Sequence, residues 1–205
     1  MQPAPVTTAP QQRALDAALE LVGQQGVGAT SLGLVARHAA ISRATLYRAF
    51  PGGRDQLFVQ LGQREVSAIL AAVGTAIDQA DDLEAAVAGA LHTAAQRVQS
   101  HAALRYVLAH EPHLAVPFLG FTEMDRLLRV VRRALAPRLA RFLDDGAAEW
   151  AAEWVARLFL STLVNPTAEF DLSDRAVCDR LVQRYVGPAF VTSRLTATTD
   201  LVPTA

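Results

Sequence analysis

Apolar residues recur along this chain at intervals of three and four, the spacing of one helix face. Nowhere do they alternate long enough to suggest a strand. Leu15, Ala18, Leu19 and Val22 form such a stripe and predict a first helix over about Gln12–Gln25, closed by Gly26 and Gly28. A second, short helix starts near Thr30 or Ser31, where either hydroxyl can accept a backbone N–H as a cap. Its inner face is Leu32, Val35, Ala36 and Ala39, and Gly33 weakens it by about 1 kcal/mol relative to alanine. A tight turn at Ala40-Ile41 leads to a third helix, Arg43–Ala49, capped by Ser42 and stopped by Phe50-Pro51-Gly52-Gly53. The fourth opens near Arg54 or Asp55 and runs through Leu57, Leu61 and Ile69 to about Ile77.

Later helices follow the same logic. Asp81-Asp82-Leu83-Glu84 reads as a capping box that opens a helix to about Ser100. Ala102–His110 closes before Pro112, and Thr122–Phe142 is interrupted or bent at Pro137. Asp144-Asp145-Gly146 reads as a turn. Ala147–Val164 stops before Pro166, and Ser173–Val186 is stopped by Gly187-Pro188. Residues 1–10 and 193–205, rich in Pro and Thr, read as flexible tails.

Composition narrows the chemistry. Hydrophobic residues make up 51% of the 205 and charged ones 19%, ample for a core. A formal net charge of −1 excludes a uniformly basic coat but not a local basic patch. All 19 cationic side chains are arginine, which excludes a lysine nucleophile, a Schiff base and a lysine-bearing phosphate loop. The single cysteine, Cys178, excludes an internal disulfide framework and thiolate-rich zinc sites, and fits a reducing cytosol. Met1–Pro10 lacks the features of a signal peptide, and no apolar run reaches the roughly 18 residues of a membrane span. A cytoplasmic protein without cofactor or metal is expected. No nucleophile elbow or other catalytic grouping appears, so it does not read as an enzyme.

The informative segment is Thr30–Phe50. Leu32, Val35, Ala36, Ile41, Leu46 and Phe50 pack inward in a helix-turn-helix, leaving Arg43, Ala44, Thr45, Tyr47 and Arg48 outward on its second helix. One helix fits the DNA major groove, and side chains near its N-terminus reach base edges while donors around it hold phosphates. Arginine can grip guanine with two hydrogen bonds, alanine can touch a thymine methyl, and hydroxyls and helix N-termini suit phosphate. Residues 1–60 carry five arginines against three carboxylates, whereas the remainder is acidic on balance. This segment and its flanks, Gly26, Thr30-Ser31, Val35-Ala36, Ala39, Ile41-Ser42, Thr45-Leu46-Tyr47-Arg48, Phe50 and Pro51-Gly52-Gly53-Arg54-Asp55-Gln56-Leu57, are similar to the DNA-binding domain of the TetR family of transcriptional regulators. The resemblance covers about a quarter of the chain. Three positions depart from the family pattern: Ala40 stands where glycine is usual, Ala49 where a histidine phosphate donor is frequent, and Arg54 where lysine is frequent.

The resemblance implies an all-α protein: a helix-turn-helix DNA-binding domain over residues 11–56 and a helical ligand-binding and dimerisation domain over 57–192. It further implies a homodimer on a palindromic double-stranded DNA operator, released by a small-molecule effector, with no membrane partner. DNA contacts fall to Ser42, Arg43, Ala44, Thr45, Tyr47 and Arg48, with Thr30, Ser31 and Arg54 on phosphates. Ligand candidates are His92, Arg105, Tyr106, His110, Phe118, Phe121, Trp150, Thr162 and Asn165, the alternative being that the aromatics are plain core. His101, Glu111 and His113 lie among them in sequence. His110-Glu111-Pro112-His113 lacks metal-ligand spacing. By the same resemblance the interface falls to Ala148, Ala151, Ala152, Trp154, Leu158, Leu181 and Tyr185. The competing reading is a helical small-molecule-binding protein or enzyme with a vestigial helix-turn-helix.

Overall fold

A computed structural model describes residues 8–114, 121–165 and 167–186. Among these there is no strand. The helices are α1 (Ala9–Ala29), α2 (Leu32–His38), α3 (Arg43–Ala49), α4 (Gly53–Asp78), α5 (Leu83–Ser100), α6 (Ala102–His110), α7 (Phe121–Leu139), α8 (Asp145–Val164) and α9 (Arg175–Tyr185). Short 3-10 turns stand at Pro112–Leu114 and Ala168–Phe170. The chain divides into two compact units: Met1–Ile69 with Val98–Asp125, and Leu70–Arg97 with Arg126–Ala205.

In the first unit the expected N-terminal tail is shorter than the sequence reading had it. Thr8 caps α1: its hydroxyl accepts from Gln11 N–H while the Gln11 side chain accepts from Thr8 N–H, a capping box with Pro10 in the first turn. Gln11 also donates from Nε2 to the Ala49 carbonyl, tying the start of α1 to the end of α3. At the other end Gly26 breaks the helix at φ 84°, ψ 172°. The core of this unit gathers Leu15, Leu21, Val35, Leu46, Phe50, Leu57 and Leu61 from α1 to α4. α6 packs on α1 and is capped by His101, whose Nδ1 accepts from Leu104 N–H. The ring proton therefore sits on Nε2, donated to Glu65 Oε2 at 2.9 Å. Glu65 in turn pairs with Arg64, which reaches Asp16 of α1 at 2.6 Å. His101 is thus engaged on both nitrogens.

In the second unit the buried residues include Val73, Ile77, Val87, Leu91, Leu128, Leu135, Ala152, Cys178 and Val182. Arg138 of α7 is ion-paired with Asp78 of α4. Three boundaries differ from the sequence reading. Asp82, not Asp81, caps α5 by accepting from Ala85 N–H, so the expected capping box does not form. Asp144 caps α8 by accepting from Ala147 N–H, which draws Asp145 and Gly146 into the helix rather than a turn. Pro137 lies in the last turn of α7, which ends at Leu139.

Candidate nucleic-acid interface

The turn between α2 and α3 is a closed Schellman motif. Ile41 N–H bonds to the Ala36 carbonyl at 3.0 Å and Ala40 N–H to the Arg37 carbonyl at 3.2 Å. The motif requires a left-handed residue past the cap, and that residue is Ala40, at φ 52°. Ser31 caps α2 through Leu34 N–H, and Ser42 caps α3 through Thr45 N–H. These caps leave the α3 start pointing away from a core anchored by Leu46 and Phe50, both almost wholly buried.

Outward on α3 stand Arg43, Ala44, Tyr47 and Arg48, with Thr45 half-buried. Tyr47 is 54% exposed. Ser42 and Thr45 share a hydroxyl–hydroxyl bond of 2.9 Å, and Arg48 approaches Thr45 Oγ1 at 3.5 Å. The Arg43 guanidinium passes over Gly33 of α2; a Cβ there would stand 3.2 Å from its Nη2. Gly33 is therefore more than a weak point in α2, since it leaves room for this arginine.

Two expected phosphate donors are placed otherwise. Thr30 is fully buried, and its hydroxyl donates to the Gly26 carbonyl at 2.7 Å. Arg54 turns back into its own unit. Its Nε donates to the Thr30 carbonyl at 3.2 Å, its Nη2 donates to Val27, and the guanidinium lies over the Phe58 ring. Both residues shape the approach to α2 rather than face outward. Glu111, which lies in sequence among the ligand candidates, instead holds backbone: its two carboxylate oxygens accept the N–H groups of Val27 and Gly28.

The ligand candidates divide between the units. Arg105, Tyr106 and His110 belong to the first, where Tyr106 and His110 stack at 4.4 Å and His110 Nδ1 donates to the Tyr106 carbonyl. His92, Trp150, Thr162 and Asn165 belong to the second. There His92 Nδ1 donates to the Leu172 carbonyl at 3.3 Å and the Thr162 hydroxyl to the Phe159 carbonyl. Phe118 and the Phe121 side chain lie outside the described residues. Trp150 is 54% exposed and stacks with Trp154 one turn on, so the two share an outward face and cannot be divided between a pocket and an interface. Ala148, Ala151 and Ala152 are buried within the chain and offer no surface to a partner, whereas Tyr185 is exposed and Leu158 and Leu181 half-buried. A cavity of about 610 Å³ opens between α7 and α8, lined by Arg129, Arg132, Arg133, Pro137, Asp145 and Glu149 among others; none of the ligand candidates lines it.

This is a helix-turn-helix presenting a cationic, hydroxyl-rich second helix, which defines a DNA-binding protein of the bacterial regulator type. Residues 14–61 match the family model for bacterial regulatory proteins of the tetR family. Over those residues the chain carries a DNA-binding domain of the tetR-family type. No curated protein matches it. Among solved structures it is similar to the TetR family repressor AlkX of Dietzia sp. strain DQ12-45-1b, at 20% identity, covering 87% of this chain and 97% of that one with a TM-score of 0.65. It is also similar to the multidrug binding protein EbrR, at 19% identity, 86% and 94% coverage and a TM-score of 0.60. The fatty acid degradation regulator FadR of Bacillus halodurans gives 14% identity, 91% and 99% coverage and a TM-score of 0.58. At these identities the structural likeness speaks for the fold. Among the described residues no helix is long and apolar enough to cross a membrane.

Proposed function

We propose that the chain is a cytoplasmic repressor: a homodimer that holds a palindromic operator through two α3 helices and leaves it when a small, largely apolar organic molecule binds. The observation that carries this reading is the outward face of α3. Arg43 and Arg48 are its base readers, Ala44 meets a thymine methyl, and Ser31, Ser42, Thr45 and Tyr47 hold phosphates. One α3 reads only a few base pairs, too little for a genome, so a two-fold pair on an inverted repeat supplies the rest. AlkX, implicated in n-alkane biodegradation, and FadR, a regulator of fatty acid degradation, favour an apolar effector.

Release requires an effector that prefers a conformation with misplaced reading helices. α4 is the lever in this reading. Its 26 residues contribute to both units and, at about 1.5 Å each, extend about 39 Å. A small tilt at one end becomes ångströms at the other.

A gel shift with DNA flanking the chain's own gene tests the reading, and a retarded band on an inverted repeat is expected. No shift from a purified dimer at low salt would favour a vestigial helix-turn-helix. Small molecules that co-purify with the protein are then titrated against the complex. One that binds free and DNA-bound protein equally is not the effector, however tightly it binds.

A further inference from the structure

The segment Val27–Thr30, between the break in α1 and the start of α2, is gripped from both sides by charged groups. On its amide side, Glu111 Oε2 accepts the N–H of Val27 and Oε1 that of Gly28, each at 2.7 Å. On its carbonyl side, Arg54 donates to Val27 and Thr30. The Val27 residue thus has its N–H on an anion and its C=O on a cation, and such charge-assisted bonds are roughly twice as strong as neutral ones.

Gly26 makes the arrangement possible. At φ 84°, ψ 172° it occupies backbone space that is essentially glycine's alone, and it turns two successive N–H groups toward the carboxylate. A Cβ at Gly26 would stand 2.6 Å from Tyr106 Cε1 and 2.8 Å from Glu111 Oε2. The carboxylate is itself seated. Glu111 is the C-cap of α6, its N–H on the Val107 carbonyl and its carbonyl accepting from Leu114 N–H, both at 2.9 Å. Wherever the end of α6 goes, the carboxylate goes with it. The next residue after the gripped segment is Ser31, the cap of α2.

We infer that Glu111 is a positioning residue for DNA recognition. Its carboxylate fixes Val27–Thr30 and so sets the placement of α2 and α3, and movement of α6 reaches the reading helices through this bond. The inference rests on the operator-binding reading above. It makes a distinction that mere stabilisation does not. Base-specific contacts depend on the placement of α3, whereas sequence-independent binding depends on phosphate charge and tolerates misplacement.

The test uses the full chain with Glu111→Gln and Glu111→Ala. Gln keeps the shape but turns an amide NH2 toward one N–H; Ala leaves both N–H groups unpartnered. Amide hydrogen exchange, thermal melting, and gel shifts on the flanking-gene operator and on random DNA of equal length are measured at one salt concentration. Exchange at Val27 and Gly28 is expected to accelerate about tenfold in both variants, from the loss of charged hydrogen bonds. Operator affinity is expected to fall about tenfold on the same grounds, with binding to random DNA unchanged. If Ala fails to fold, the near-isosteric Gln variant carries the measurement. Accelerated exchange with an unchanged ratio of operator to random binding overturns the inference, as does unchanged exchange. A wild type that shifts no DNA overturns the operator reading and the role of Glu111 together; exchange at the two amides then still shows whether the carboxylate grips them.

Discussion

Ala40 holds a left-handed backbone, which costs an L-residue with a Cβ about 1–2 kcal/mol. The Schellman closure tolerates that cost because its two hydrogen bonds satisfy carbonyls at the end of α2. Ala40→Gly should therefore raise stability, by about 0.5–1 kcal/mol once the greater freedom of glycine in the unfolded chain is deducted. Urea unfolding measures it, and a destabilised variant would show that the turn does not strain alanine. Cys178 makes a second residue-scale case. It is fully buried, and its Sγ donates to the Leu172 carbonyl at 3.3 Å. Burial first, then the carboxylates of Asp179, Asp174 and Asp171 against the opposing Arg175, push its thiol up to about 11. An unfolded thiol ionises near 8.5 or so. The folded state thus keeps a proton that the unfolded state gives up. This contribution to stability is complete below that value and is lost from there to about pH 11, at about 1.4 kcal/mol per pH unit. Cys178→Ala should flatten the fall of melting temperature above pH 9 or so, and the native thiol should resist alkylation at pH 8 or so.

At the scale of elements, the two arginines expected on DNA, Arg43 of α3 and Arg54 on phosphate, separate. Arg43→Ala should cost about 1–3 kcal/mol on the cognate operator and relax one base position. Arg54→Ala should instead destabilise the fold by about 1–3 kcal/mol, since it strips two backbone carbonyls of a charged donor. Its salt slope on DNA should not change. A slope lower by about one with unaltered urea unfolding would return Arg54 to the phosphates. The difference was not legible because a phosphate donor and a carbonyl clamp have the same sequence signature, a cation opening a helix. α2, α3 and α6 were legible almost to the residue, because Ser31, Ser42 and Pro112 act within one turn of the ends they set. Thr8–Gln11 carried an equally local signal, obscured by the Pro/Thr-rich stretch around it. The backbone grip of Glu111 was beyond reach, since its partners lie 83 and 84 residues away. Only the Gly26 and Gly28 pair hinted at unusual backbone there.

At the scale of the whole molecule, assembly follows from what the second unit leaves outside. Trp150 and Tyr185 are each more than half exposed, and we propose the two-fold interface on the face of α8 that carries Trp150, Trp154 and Leu158. Trp150→Glu should give a monomer by light scattering at micromolar concentration, because a buried carboxylate without a partner is costly. A variant that stays dimeric would move the interface elsewhere. These two rings, 6.4 Å apart and 20° from parallel, are the only tryptophans in the chain. All of its indole emission therefore originates on one face of one helix. Intrinsic fluorescence will report subunit association as a shift to the blue, with exciton coupling between the rings visible in near-ultraviolet circular dichroism. The reading head, whose largest outward chromophore is Tyr47, contributes no indole signal of its own. An optical titration with DNA will stay silent unless the perturbation travels through the protein, so a change in tryptophan emission on adding operator would be a direct sign of communication from α3 to α8.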